Sequence, residues 1–440
     1  MYPLARQQRG YGQRLGALLF LLPFSVLAQS ALTPPPAGFG GVDTQLPASS
    51  TNQNLVPNIV PSPEPPELPA IFHWNQFDFR PHLLYRFVYA DGLQSSPGNK
   101  PKTTINEVYA GATLAWGKNW TLDYTPTLRY YSSPQFQDGL DQSIELDGAA
   151  QVGDWAFNLK QSYTDTTQPL VETGLQSEQE TYLTSLVGTW AMNSALNLQV
   201  GLIQNLRYVT GFQSLEEWNT PDWLDYRLNP QLTVGLGVTL GYDALGASPA
   251  ESFEQGQGRL TWKPGDKLTL QMNGGIEERQ LGGGAPDLVS PIFGLEVTYQ
   301  ALEHTRVDLR VSRTVSPSVF QDQVLTTTSV NGSIVQDISR KLTAELDGVY
   351  INRPFQNTAL VPLLGPYTNT AANQAVSPVP VSILSTTRED NNWECTVRLR
   401  WAVIPRGTVE VFYSLSENSS GLSNFKYSST QVGFSLGYRF

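Results

Sequence analysis

From Phe72 onward the chain repeats one pattern: an alternating segment, a tight turn, a second alternating segment and a longer polar connection. In Phe77 to Tyr89, Phe77, Phe79, Leu83, Tyr85 and Phe87 fall on one parity and Asp78, Arg80, His82 and Arg86 on the other. In Leu232 to Asp243 the apolar Leu232, Val234, Leu236, Val238, Leu240 and Tyr242 alternate with Thr233, Gly235, Gly237, Thr239, Gly241 and Asp243. A strand sends successive side chains to opposite faces, so each segment has one greasy and one wet face. Tight turns are expected at Gly117-Lys118-Asn119, Val152-Gly153-Asp154, Met192-Asn193-Ser194, Asn229-Pro230-Gln231, Lys263 to Asp266, Leu302-Glu303-His304, Ser339-Arg340-Lys341 and Ile404 to Gly407. Their usual spacing, roughly 35 to 40 residues, accommodates two strands, one short link and one long one.

A soluble sandwich would alternate too, since it needs one dry face. The tryptophans separate the alternatives. Trp116, Trp120, Trp155, Trp190, Trp262 and Trp401 stand within a few residues of a short turn, and Trp74 opens the first strand. An indole ring is best placed at a membrane–water interface, and a sandwich has no reason to gather Trp at one end of its strands. The expected fold is therefore all-β: a transmembrane up-and-down antiparallel barrel of about 18 strands. An even count puts both ends of the barrel on one side.

The flanking segments suit export. Arg6, Arg9 and Arg14 precede the apolar run Leu15 to Ala28, which is interrupted by Pro23 and short for a membrane helix of about 20 residues; residues 1–28 are expected to be a signal peptide. Residues 29–71 are rich in proline, including Pro34-Pro35-Pro36 and Pro61-Ser62-Pro63-Glu64-Pro65-Pro66, and are expected to be a disordered periplasmic linker, a spacer or a docking arm for a periplasmic partner. Residues 72–440 would be the barrel. Cys395 is the single cysteine, so no internal disulfide staples the chain. The net charge of −11 argues against a nucleic-acid partner.

The last strand, Gln431 to Phe440, alternates Val432, Phe434, Leu436, Tyr438 and Phe440 with polar or small residues. It resembles the closing strand of bacterial outer-membrane barrels, in which the terminal Phe and an aromatic two residues earlier, here Phe440 and Tyr438, form the signal read by the barrel-assembly machinery. With its leader, Pro-rich spacer and Trp-marked turns, the chain resembles the outer-membrane β-barrel porin families of Gram-negative bacteria, the second of them in particular. The resemblance is one of pattern and matches no catalytic motif. It implies an outer-membrane location in contact with lipid, N-terminal linker and C-terminus periplasmic, and work as a porin; some similar barrels accompany polysaccharide export.

Barrels of this size leave an aqueous channel, so the inward parity carries the candidate site. Arg80, Arg86, Glu345, Asp347, Arg398, Arg400, Glu410 and Arg439 are expected to line the pore. Inward acids and bases nearly balance, which predicts weak ion selectivity. The arc of Glu345 and Asp347, Arg398 and Arg400, Glu410 and Arg439 would either set a transverse field or pair strand to strand. The longest loop, from about Arg353 to Arg388, has no charge between those arginines and is a candidate constriction. The sequence has no His-x-x-x-His spacing, nucleophile elbow or phosphate loop, so no catalytic residue, metal or cofactor is expected. His82 and Asp78 are the nearest approach to a catalytic pair. The leading expectation is passive diffusion of small hydrophilic solutes; the alternatives are a polysaccharide conduit working with periplasmic partners and a surface structural or adhesive barrel.

Overall fold

A computed structural model of the chain describes residues 72–93, 100–170, 172–173, 175–246, 248–284, 286–357 and 388–439. The expected leader and linker, residues 358–387 of the long loop and Phe440 lie outside the described residues.

The alternating segments form eighteen long strands: β1 Phe77–Asp91, β2 Lys102–Trp116, β3 Trp120–Tyr131, β4 Gly139–Val152, β5 Trp155–Thr166, β6 Gln179–Ala191, β7 Leu196–Val209, β8 Leu215–Asn229, β9 Leu232–Leu245, β10 Glu251–Gly265, β11 Leu268–Gln280, β12 Leu288–Leu302, β13 Thr305–Pro317, β14 Gln323–Ser339, β15 Leu342–Asn357, β16 Glu389–Ile404, β17 Gly407–Ser420 and β18 Tyr427–Arg439. Each pairs antiparallel with its neighbours in sequence. β18 returns to β1, with Tyr438 opposite Leu83 and Thr430 opposite Asp91, so the sheet closes on itself. Closure leaves no unpaired edge among these strands. With strands ~4.8 Å apart and tilted by ~40°, such a ring is roughly 35 Å across between backbones. A three-residue strand, Phe72–Trp74, precedes β1 and folds back on it.

Registers carry each alternation into the next strand, so the apolar parity forms one continuous outer face. Leu236, Val238, Leu240 and Tyr242 of β9 are all more than half exposed on it. That face turns aromatic at the short-turn end: Trp116 stacks on Trp120 at 5.8 Å and Trp155 on Trp190 at 5.8 Å. Trp218 and Trp393 face outward towards the opposite end, and Trp223 alone of the ten points inward. Among the described residues no helix is long and apolar enough to cross a membrane, which says nothing of strands.

Two features were hidden from alternation. Five short turns are preceded by a register shift, between Arg227 and Asn229, Trp262 and Gly265, Gln300 and Leu302, Asp337 and Ser339, and Ala402 and Ile404. Such bulges tighten local twist where the chain reverses. The long loop, in turn, begins later than Arg353: β15 continues to Asn357, because Phe355 pairs with Leu325 and its N–H reaches the Arg388 carbonyl at 2.8 Å.

Candidate functional site

The interior face holds every residue expected to line a pore. Arg80 and Arg86 lie inward on β1, Glu345 and Asp347 on β15, Arg398 and Arg400 on β16, Glu410 on β17 and Arg439 on β18. Arg398 is paired with Asp347 and, at 3.4 Å, with Glu345; Arg400 reaches Glu410 at 2.8 Å. The arc is thus a set of pairs between adjacent strands, not two rows facing each other across a gap. Arg400, Lys160 and Arg310 keep about half of their side-chain surface open to water. Exposed pairs of this kind contribute little to stability.

At the end with the long connections the interior is different. The upper part of the β13–β14 hairpin is buried on both parities, from Thr314 to Val319 and from Val324 to Thr327, so it is covered on both faces; here β13 runs past its pairing with β12, which ends at Arg313, while β14 stays paired with β15 through Leu325 and Phe355. Its tip reaches distant loops. Ser318 Oγ donates to Glu172 Oε1 at 2.6 Å, and the Val319 N–H donates to the same oxygen at 2.9 Å. Gln213 Nε2 donates to the carbonyls of Ser318 and Phe320, while Ser248 Oγ donates to Gln213 Oε1 and accepts from the Asp322 N–H. Glu172 belongs to the β5–β6 connection, eight strands round an eighteen-strand ring from β13. A contact between loops so nearly opposite spans the mouth. Leu170, Val209 and Val319 form its small apolar centre, with Phe212 and Phe320 packed on it. The constriction proposed for the long loop falls mostly outside the described residues; among those described, the β5–β6 connection and the β13–β14 tip narrow the mouth.

On the inner wall, and beside the bridge at Arg388, one device recurs. Arg259 lies over the Trp223 ring at 4.3 Å, Arg279 over Phe253 at 4.6 Å, Arg86 over Phe412 at 4.8 Å and Arg388 over Phe425 at 3.5 Å. Phe253 itself lies flat on Gly241, where an added Cβ would sit 2.1 Å from the ring. Carboxylates then close round the guanidinium. Arg279 meets Asp243, Glu251 at 3.0 Å and Glu277 at 3.0 Å; Arg129 meets Asp141 and, at 2.7 Å, Glu107. A cation that is stacked and hydrogen-bonded is held in a single geometry. The pore-lining residues expected from sequence include none of Glu107, Asp141, Glu251, Glu277 and Arg279, and Asp243 stands there only as one wet-face residue of its strand. The signal was present, since all share the inward parity near the long-loop ends of their strands.

His82 and Asp78 do not form a pair. His82 Nε2 lies 2.9 Å from Thr125 Oγ1, and Asp78 is met by His73 and Arg80. Cys395 faces outward opposite Gly348. A cavity of about 460 Å³, lined in part by Glu178, Glu180, Tyr208, Phe212 and Gln321, opens at the rim beside the bridge. Among the described residues no cluster of three or more His, Cys, Asp or Glu suits a metal ion.

No family model matches the chain, and no curated protein matches it. Solved structures do. Pseudomonas aeruginosa OccK2 (OpdF) aligns at 13% identity over 82% of this chain and 98% of its own, with a TM-score of 0.42. P. aeruginosa OpdQ aligns at 10% identity over 83% and 99%, with a TM-score of 0.43, and P. aeruginosa OpdK with vanillate at 12% over 82% and 99%, with a TM-score of 0.41. Likeness at this level carries no argument about what the chain does. The barrel rests on its own closed register.

Proposed function

We propose that this protein is an outer-membrane channel through which small hydrophilic solutes diffuse, its N-terminal segment and C-terminus on the periplasmic side and its long loops outside the cell. The observation that carries the reading is the closed ring of eighteen strands with an apolar outer face and a polar, charged inner one. In lipid every backbone polar group must be satisfied internally, which a closed barrel achieves. Tyr438, outward on β18, together with Phe440 serves as the assembly signal, and the Pro-rich segment tethers or docks on the periplasmic side. Ion selectivity is weak, because the inward charges are largely neutralised by their neighbours.

The mouth supplies the test. The mature chain is refolded into a planar bilayer and compared with a variant in which Val319 to Asp322 is replaced by the two-residue turn Asn-Gly, which keeps Ser318 opposite Gln323 and the β13–β14 register unchanged. Discrete steps from the intact protein, with cation and anion permeabilities nearly equal, and larger steps from the variant are expected. Silence from the intact chain with conduction by the variant would move a partner-opened export conduit to the front. If both are silent while circular dichroism shows folded β-structure in lipid, the channel reading fails and a structural or adhesive role replaces it.

A further inference from the structure

The rim cavity of about 460 Å³ has the size of a small-molecule site. It is lined by strand-end residues, Glu178, Glu180 and Tyr208, and by residues of the bridge, Phe212, Gln213 and Gln321. Glu180 and Tyr208 face each other in register on β6 and β7, on the outward parity that Leu186 and Leu202 mark by their exposure, so this part of the cavity belongs to the outer rim and not to the inner wall. Charge there has one sign. Asp165 on β5 stands directly opposite Glu180 and within electrostatic reach of Glu178, and Tyr208 Oη donates to Glu216 Oε1 at 2.9 Å. Outside residues 1–28 every Lys and Arg of the chain is among the described residues, and none of them forms an ion pair with Asp165, Glu178, Glu180 or Glu216. Arg207, next to Tyr208, points to the inner face, where it meets Glu172 at 3.8 Å. Like charges directly opposite on neighbouring strands are destabilising, and a bound counter-ion relieves them.

The lining is also aromatic. Tyr208 meets Tyr182 edge-on, with 6.4 Å between ring centroids, and Tyr182 Oη donates to Glu180 Oε2 at 3.3 Å; Phe212 meets Phe320 edge-on at 5.6 Å. Carboxylates accept from an ammonium group, and aromatic faces attract cations. A bare metal ion would leave the rings unused, and among the described residues no three His, Cys, Asp or Glu side chains are grouped to ligate one. We propose that the rim cavity binds a small organic cation through its ammonium group, held by Glu178 and Glu180, with Tyr208 and Phe212 against its carbon skeleton. Gln213, which lines the cavity, also donates to the Ser318 and Phe320 carbonyls, so the occupant sits against the segment that narrows the mouth. The site lies beside the route for solutes, and binding there does not depend on conduction. An ethanolamine headgroup in the surrounding lipid presents the same chemistry as a free amine.

The test uses the full mature chain folded in a non-ionic detergent and titrated at constant ionic strength with benzylammonium chloride, with benzyl alcohol as the neutral analogue and magnesium chloride as the inorganic cation. Benzylammonium is expected to raise the melting temperature in a saturable manner, and the other two to leave it unchanged. Glu178→Gln and Glu180→Gln should each weaken the apparent benzylammonium affinity roughly tenfold, while Glu278→Gln, outward on β11 away from the cavity, should keep it. Glu178 is exposed, so its variant decides should Glu180→Gln fail to fold. Equal responses to the three probes, a response to magnesium alone, or wild-type affinity in the Glu178 and Glu180 variants would overturn the proposal. Vesicles distinguish the source of the amine. Benzylammonium that binds in phosphatidylcholine but is displaced in phosphatidylethanolamine identifies the lipid headgroup as occupant, and equal binding in both identifies a soluble amine. Bilayer recordings separate the proposal from the channel reading: a benzylammonium-specific shift in a protein that never conducts sustains the site and sinks the channel, and conduction without that shift does the reverse.

Discussion

Arg279 and Arg353 are the same residue type on the same inner face, both near the long-loop ends of their strands, and they live in opposite chemistries. Arg279 is 1% exposed, stacked on Phe253 and enclosed by Asp243, Glu251 and Glu277. Arg353 is nearly as buried, yet the acids within its reach, Asp390 and Glu172, are bound to other donors. One side of the mouth therefore has carboxylates in excess round a satisfied cation, and another has a cation in excess. Burial alone does not say whether a charge is locked into the wall; the distribution of its partners does.

The widest separation comes from deleting each cation. Arg279→Met leaves three carboxylates without their shared counter-charge in a place closed to water, and removal of one member of a buried network typically costs about 3–5 kcal/mol. Arg353→Met removes a charge that forms no ion pair among the described residues, so its stability should be unchanged or slightly raised. Urea unfolding in lipid vesicles, followed by tryptophan fluorescence, reads both. Equal losses from the two variants would mean that Arg353 has a structural partner after all, and the comparison would collapse.

A smaller effect tests the platform under Arg279. Phe253 can lie against the wall only because Gly241 has no side chain: a Cβ there would sit 2.1 Å from the ring. Gly241→Val should push Phe253 off the wall, tilt the Arg279 stack and cost about 1–3 kcal/mol, the usual range for overpacking. Gly256→Val is the matched control, with nothing within 4 Å of the added Cβ on the outer face, and should be close to neutral. Equal costs at the two positions would show that backbone propensity, and not the ring on the glycine, sets the result.

Alternation made the wall legible and left the mouth dark. Period two assigns a face to every residue of a strand, so Glu345, Asp347, Arg398 and Arg400 could be placed inward from sequence, and Gly117, Gly153 and Pro405 marked where strands reverse. Pairing among those charges was open because parity says which side a group takes, not which neighbour it meets. The bridge is beyond such reading: Glu172 and Ser318 are 146 residues apart, and neither sits in a pattern that points to the other. Arg353 was obscured for a local reason. Pro354 beside it suggests that the strand has ended, whereas pairing with β14 carries β15 on to Asn357.

The outer face contains a third case of a charge with little to hold, and it yields the smallest effect. Asp222 lies on the outward parity of β8, four residues from Trp218 and four from Tyr226, both outward and nearly half exposed. It is flanked in register by Val200 on β7 and Val238 on β9, and its contact is a long one, 3.4 Å from the Gly201 N–H. Halfway between two aromatic levels is where a barrel meets the bilayer midplane, and acids on that face destabilise by less than the ~2–4 kcal/mol of Arg or Lys. Asp222→Val should therefore gain on the order of 1 kcal/mol in unfolding from lipid vesicles. A loss in place of that gain would mean that the face round Asp222 is covered, as it would be where a second copy of the chain packs against β8. The outer acid would then resemble Arg279, completed by its surroundings, and no longer Arg353.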